Sequence, residues 1–132
     1  MEQNLNFQLG LLHLIHLIAN VDGHVDEREK AAMDRIRKEE KIPDSVYQEF
    51  EQKISGATED AIYNNGIAHL SGCSDEERLI AFVHLYKLAE ADSTINSKEI
   101  RFLFYGLKET KLTFEDIIMS AGMSGSNFFT GH

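Results

Sequence analysis

The chain has 132 residues, of which 42% are hydrophobic and 27% are charged, with one proline and no tryptophan. This balance is typical of one globular domain that is long enough to bury a core, and it excludes an intrinsically disordered chain. The formal net charge of −9 and the lack of a Lys/Arg patch argue against nucleic-acid binding and against binding to anionic membranes.

Cys73 is the only cysteine in the sequence, which excludes an intramolecular disulfide and a thiolate metal cluster. The first residues lack the basic start of a secretory signal, and no apolar run reaches the ~18 residues of a membrane span. We therefore expect a cytoplasmic protein that does not insert into membranes.

Apolar periodicity and turn residues predict seven helices, which gives an all-α class. The first helix spans about residues 5–21 and is apolar on nearly every side, so we expect it to be central and buried. Its thin polar stripe consists of His13, His16 and Asn20. Gly23 then ends the helix, because glycine adopts the left-handed conformation at little cost.

Capping boxes predict the starts of four later helices, since a cap residue and an acid three positions on satisfy each other's backbone N–H groups. These boxes are Asp26 with Glu29, Ser74 with Glu77, Asn96 with Glu99, and Thr113 with Asp116. Pro43 precedes the third helix, Thr58 caps the fourth, and the seventh is predicted to end at Gly122. The predicted organisation is one domain over residues 1–121 and a flexible Gly/Ser-rich tail over 122–132. The Phe128–Phe129 pair in this tail either folds back or is recognised by another protein.

Two stretches of the sequence align without a gap at a shift of 70 positions, namely ANVDGHVDERE at 19–29 and AEADSTINSKE at 89–99. We name them the acidic segments. The alignment continues to about residue 42 of the first copy, which predicts two repeated three-helix units joined by the fourth helix. The expected fold is a closed bundle of about seven helices.

The acidic segments are not EF-hand loops, because the positions that should hold a glycine and a bidentate glutamate hold other residues. Helix capping explains Asp26, Asn96, Glu29 and Glu99 without a ligand. Asp22 and Asp92 are harder to explain, because each follows a helix whose dipole disfavours a negative charge at its C-terminal end.

If the two copies pack about a pseudo-twofold axis, four carboxylates meet at one end of the bundle: Asp22, Glu29, Asp92 and Glu99. Carboxylate oxygens are the ligands that Ca²⁺, Mg²⁺ or Mn²⁺ prefer. Both readings, a cation site and a pair of capped turns, are compatible with the spacing.

The pattern A-x-x-D-G-x-V-x-x-x-E at residues 19–29 resembles the signature of the tellurite-resistance TerB-like family, and the resemblance covers about residues 5–121. It implies an all-helical fold, a motif present twice, and divalent-metal binding through Asp22, Glu29, Asp92 and Glu99. It also implies a role in resistance to tellurite or other chemical stress. The second copy departs from the signature, because Ser93 replaces the glycine and Asn96 replaces an acid.

Other sites are less favoured by the sequence. His13 and His16 share a helix face, as a zinc pair does, but no HExxH pattern accompanies them. His24 either joins a metal site or is a solvent-exposed loop residue. Cys73 precedes a helix N-terminus, which can lower a thiol pKa, yet no base or oxyanion site is specified.

The sequence thus supports two hypotheses. In the first, the chain is a non-enzymatic module that binds a divalent cation weakly through its acidic segments and presents a cation-dependent surface to a protein partner. In the second, it is a protein–protein adaptor whose acidic segments only cap helices.

Overall fold

The computed structural model describes residues 5–19, 27–91, 97–107 and 110–125. Within these ranges the chain forms seven α-helices and no strand, which confirms the predicted all-α class. The helices are α1 (Leu5–Ala19), α2 (Glu27–Glu39), α3 (Asp44–Ile54), α4 (Glu59–Ser71), α5 (Asp75–Ala91), α6 (Ser97–Phe104) and α7 (Phe114–Gly125). Their order is the predicted one, and α7 runs past its predicted end at Gly122. The repeat of two three-helix units and the division at residue 121 stay predictions.

Helix α1 forms the centre of the molecule, as its sequence predicted. Every residue from 7 to 16 is buried. The helix packs most extensively on α4 and also contacts α2, α3 and α5, while α5 packs on α6 and α7. Because other helices cover this apolar helix on several sides, little of its hydrophobic surface is left in contact with water, and its burial stabilises the fold.

Helices α1 and α4 run antiparallel. Gly10 near the start of α1 faces Leu70 near the end of α4, whereas Leu14, one turn further along α1, faces Gly66. The C-terminal end of α1 therefore lies beside the N-terminal end of α4.

Three of the predicted helix caps fall within the described residues, and all three are confirmed. The Thr58 hydroxyl accepts a hydrogen bond from the Ala61 N–H at 3.1 Å. Ser74 and Glu77 exchange backbone-to-side-chain bonds of 3.0 and 3.2 Å at the start of α5. The corresponding bonds of Thr113 and Asp116 at α7 are 2.8 and 3.3 Å. Residues Asp26 and Asn96, the caps expected for α2 and α6, lie outside the described residues.

Candidate functional site: a cleft bordered by the acidic segments

The predicted metal ligands lie largely outside the part of the chain that the structure describes. Asp22 and Asp92 belong to the undescribed ranges, and Glu29 is described only through its backbone, in α2. Glu99 is described fully: it lies in the first turn of α6 and its side chain is exposed. The shared four-carboxylate site therefore stays a prediction.

A cleft of about 490 Å³ lies where the ends of three helices meet. We name it the α1–α4–α6 cleft. Its lining residues come from the end of α1, the first half of α4 and most of α6: Leu17, Ile18, Glu59, Asp60, Tyr63, Lys98, Glu99, Phe102 and Leu103. The antiparallel packing of α1 and α4 brings the first two groups together.

The cleft is bordered by described residues that adjoin both acidic segments. Ile18 is the next-to-last residue of α1, and the first acidic segment begins at residue 19. Lys98 and Glu99 belong to the second acidic segment and open α6. Described residues at the edges of two segments that are 70 positions apart in the sequence therefore line the same cleft.

The floor of the cleft is apolar and aromatic. The rings of Tyr63 and Phe102 stack with centroids 5.8 Å apart and planes inclined by 28°. Gly106 makes room for this arrangement, because a β-carbon at that position would lie 2.5 Å from the Tyr63 hydroxyl. Phe102 nevertheless keeps 67% of its surface exposed, so its ring is accessible from the cleft.

The rim of the cleft is acidic. Among the described lining residues, Glu59, Asp60 and Glu99 carry carboxylates and Lys98 carries the one positive charge. All three acids lie in the first turn of their helices, where the helix dipole favours a negative charge. Dipole stabilisation therefore explains their positions along each helix, and the packing of α4 beside α6 explains why they share a rim.

The donor chemistry near the cleft is that of oxygen ligands, which suits Ca²⁺, Mg²⁺ or Mn²⁺ better than softer metals. Within the described ranges, no group of three or more His, Cys, Asp or Glu side chains has the geometry to hold a metal ion. The described residues therefore do not form a complete cation site, and the remaining predicted ligands, Asp22, Asp92 and the Glu29 side chain, lie outside the described part of the chain.

The two histidines of α1 are buried. This part of the predicted polar stripe therefore faces other helices and not solvent. His13 has no exposed surface and His16 is 9% exposed. The Nδ1 atom of His13 lies 2.7 Å from the Leu9 carbonyl oxygen, while its Nε2 atom is buried without a hydrogen-bond partner. The ring contacts Phe50 of α3 and His69 of α4 at centroid distances of 5.3 and 5.5 Å.

Burial lowers the pKa of His13, against the opposing effect of its bond to the Leu9 carbonyl, and the positive charges of His69, Lys53 and His16 lower it further. Burial also lowers the pKa of His69, with Lys53 adding to the effect and Glu49 opposing it. These rings are neutral packing elements at neutral pH. His24, the third histidine weighed for a metal site, lies outside the described residues.

Cys73 does not have the activated thiol that its place before a helix N-terminus allowed. The side chain is buried, and its Sγ donates to the His69 carbonyl oxygen at 3.5 Å. Burial, assisted by the Glu77 carboxylate, raises the pKa of the thiol to about 11, although Arg78 opposes the shift. Desolvation of the thiolate therefore outweighs the helix dipole, and the thiolate fraction at neutral pH is very small.

Sequence reasoning did not single out the aromatic and acidic residues of the cleft. One signal was available in the run Phe102-Leu103-Phe104-Tyr105, because four consecutive apolar or aromatic residues cannot all face the core from one helix. Leu103 and Phe104 are buried, and Phe102 and Tyr105 are 67% and 60% exposed.

None of the described helices is long and apolar enough to cross a membrane. A comparison with protein-family models finds a match over residues 8–105 to the family described as "Tellurite resistance protein TerB". Comparisons with curated proteins and with solved structures give no significant match. The matched range includes both acidic segments and every described residue that lines the cleft.

Proposed function

This chain belongs to the TerB family of tellurite-resistance proteins, and on that premise we propose that it is a cytoplasmic, non-catalytic module that binds a divalent cation weakly. The ligands in this proposal are Asp22 and Glu29 of the first acidic segment and Asp92 and Glu99 of the second. The two segments belong to two repeated three-helix units, and the module acts in the response to tellurite or related chemical stress.

The single observation that carries the proposal is the position of Ile18 and Glu99 on one cleft. A chain spans at most about 3.3–3.6 Å per residue, so Asp22, four residues after Ile18, lies within about 14 Å of it. Asp92 directly follows the last residue of α5, and Glu99 lies seven residues further on. These chain lengths are compatible with ligands from both acidic segments meeting near the cleft, and this compatibility supports the proposal.

Electrostatic repulsion supplies the reason for a cation. The rim already carries Glu59, Asp60 and Glu99, and the chain as a whole carries a formal charge of −9. Adding the carboxylates of Asp22, Glu29 and Asp92 raises the local density of negative charge, which a divalent ion relieves. We expect the binding to be weak, because Ser93 and Asn96 replace the glycine and the acid of the first copy.

Ion binding would couple the two segments and so alter the surface that the molecule presents. A bound cation joins ligands from the α1–α2 and α5–α6 connections, and the empty form leaves them to repel each other. A ligand shifts a conformational equilibrium only by its preference for one form, so the size of the change is limited by the affinity.

Isothermal titration calorimetry with Ca²⁺, Mg²⁺ and Mn²⁺ tests this proposal. We expect a weak, saturable heat with the wild-type chain and its loss in Asp22→Asn and in Asp92→Asn. Glu115→Gln is the matched control, because it removes one exposed acid from the first turn of α7, away from the cleft. Equal heats in wild type and in both asparagine variants would contradict cation binding by these residues.

A second function is that of a protein–protein adaptor. It is favoured by the exposed ring of Phe102, which lines the cleft and offers an apolar contact to a partner. In this account the acidic segments only cap helices, and partner binding persists when divalent ions are chelated. The two functions are separable, because only the first depends on Asp22 and Asp92.

A further inference from the structure

The α1–α4–α6 cleft combines an aromatic floor with a carboxylate rim, and this combination specifies the chemistry of an occupant. We propose that the cleft docks a basic, amphipathic segment of a partner protein. One large apolar side chain of that segment packs on Tyr63 and Phe102, and its Lys or Arg side chains pair with Glu59, Asp60 and Glu99. The inference does not rest on cation binding.

The apolar part of the surface extends beyond the cleft itself. Tyr105 directly follows the last residue of α6, three residues after Phe102, and its N–H donates to the Arg101 carbonyl oxygen at 3.0 Å as in a further helical turn, so the two side chains lie on the same side. Both side chains are more than half exposed. A volume of about 490 Å³ lies in the range of clefts that enclose a small ligand, and it suffices for one or two large side chains of a docked segment.

Charge complementarity selects a basic occupant. The described lining residues include three carboxylates and one lysine, an excess of negative charge that repels an acidic segment and complements a basic one. Each exposed pair contributes little alone, but together they steer association and fix orientation. Aromatic residues in partly enclosed positions supply most of the affinity in such interfaces.

Two occupants from this protein itself fit less well. Residues 126–132 contain no lysine or arginine, so the chain's own C-terminal segment offers the Phe128–Phe129 pair but no charge complement. A second copy of the chain brings another formal charge of −9 toward the rim, which opposes association at this surface.

Fluorescence anisotropy with two synthetic peptides tests the proposal. The first peptide is a labelled amphipathic helix of about 18 residues, composed of Lys and Leu with one Trp on the apolar face, a length that can hold helical structure. The second has Glu in place of every Lys. Titrations are run in EDTA, at low salt and at physiological salt. We expect the Lys peptide to bind in EDTA, with an affinity that falls as salt rises, and the Glu peptide not to bind.

Matched variants locate the binding surface. Phe102→Ser should weaken binding of the Lys peptide at least about tenfold, the loss typical of a central aromatic contact. Met119→Ser is its control, because Met119 is an equally exposed apolar residue on α7, at 66% exposure, and lies outside the cleft. This control should bind like wild type, and circular dichroism should show both variants folded.

The charge contribution is tested by two triple variants of equal net charge. Glu59→Gln/Asp60→Asn/Glu99→Gln should weaken binding of the Lys peptide, whereas Glu51→Gln/Glu76→Gln/Glu115→Gln, at exposed positions outside the cleft, should have little effect. Equal losses in the two triple variants would mean nonspecific attraction to an acidic protein and would overturn the proposal.

Three further outcomes would also overturn it. Phe102→Ser could bind the Lys peptide like wild type, which excludes the aromatic floor. Binding that appears only after deletion of residues 126–132 would assign the cleft to the chain's own tail. Dimerisation that Phe102→Ser abolishes, without peptide binding, would assign it to a second copy. The titrations contain EDTA, which removes divalent cations. The peptide result is therefore independent of whether the chain binds a cation.

Discussion

Gly10 of α1 and Gly66 of α4 pack against each other, and a β-carbon at Gly10 would lie 3.2 Å from the Gly66 carbonyl oxygen. The same β-carbon would lie 2.8 Å from Cγ of Leu70, and one at Gly66 would lie 2.8 Å from Cδ2 of Leu14. The main helix pair of the bundle is thus held at a separation that leaves no room for a methyl group. This close approach also sets the position of α4 beside the end of α1, where the cleft begins.

Gly10→Ala and Gly66→Ala should destabilise the protein, although alanine favours a helix over glycine. The added methyl overpacks the α1–α4 contact, which costs about 1–3 kcal/mol and exceeds the gain of about 0.5–1 kcal/mol in helix propensity. Urea unfolding followed by circular dichroism measures the difference.

Gly122→Ala is the control for this pair, because a β-carbon there meets no atom within 4 Å and Gly122 lies within α7. It should stabilise the protein by about 0.5–1 kcal/mol. Stabilisation of similar size in Gly10→Ala would show that α1 and α4 do not approach as closely as the structure indicates.

The fold could be predicted from the sequence to the extent that it depends on local interactions. The helix starts at Thr58, Ser74 and Thr113 follow from side chains that satisfy neighbouring backbone groups, and the burial of α1 follows from its apolar residues. The contact between Gly10 and Gly66 could not be predicted, because periodicity gives the face of a helix but not the register between two helices.

For the candidate site too, local features could be predicted from the sequence, whereas features that depend on tertiary packing could not. The acidic segments are visible in the sequence because they repeat at a fixed shift. The α1–α4–α6 cleft joins residues from 17 to 103, and no local pattern relates Ile18 to Tyr63 or Phe102. The state of the Cys73 thiol could not be predicted, because a helix N-terminus can be recognised in the sequence, whereas burial of the thiol depends on tertiary packing.

The stability of the protein should fall as the pH is lowered through the range in which His13 protonates. Burial holds the pKa of His13 below the ordinary histidine value of about 6.5, so the unfolded chain binds the proton more readily than the folded chain. The contribution is therefore complete above about pH 6.5 and is lost progressively as the pH falls toward the folded-state pKa. The groups that face His13 are Phe50 and Lys53 of α3, His69 of α4, and His16 on its own helix.

Urea unfolding of wild type and His13→Leu between pH 7.5 and 5 measures this effect. The free energy of unfolding of the variant should decrease less over this range, because the leucine has no proton to bind. An NMR titration of the His13 ring provides the direct check. A His13 pKa at or above the ordinary value, or an unchanged pH dependence in His13→Leu, would contradict the expectation.

Arg78 should be a strong determinant of stability, because it closes the end of α4 from the first turn of α5. Its Nε donates to the Leu70 carbonyl oxygen at 2.9 Å and its Nη2 to that of Ser71 at 2.7 Å. Its Nη1 donates to Asp75 at 3.0 Å, and Asp75 also accepts from the Thr110 hydroxyl at 2.6 Å. The Thr110 bond, with those from Lys111 and Arg78, lowers the pKa of Asp75.

Arg78→Ala should lower the free energy of unfolding by about 2–3 kcal/mol, because it leaves carbonyl groups without their charged donor. Arg78→Lys should recover only part of this loss, since an ammonium cannot reproduce the fork of the guanidinium. Arg35→Ala, at an exposed position on α2, is the control and should change stability by no more than about 0.5 kcal/mol. Urea denaturation gives all three values, and a small effect of Arg78→Ala would contradict the assigned role.

Paramagnetic relaxation by Mn²⁺ tests most directly whether the two acidic segments share one cation. In ¹H–¹⁵N spectra, we predict that Mn²⁺ attenuates the amide signals of residues 20–26 and 92–96 together and saturates at one ion per chain. Either Asp22→Asn or Asp92→Asn should reduce the attenuation in both segments. Attenuation of one segment alone, of neither, or of the second segment unchanged in Asp22→Asn would contradict a shared site.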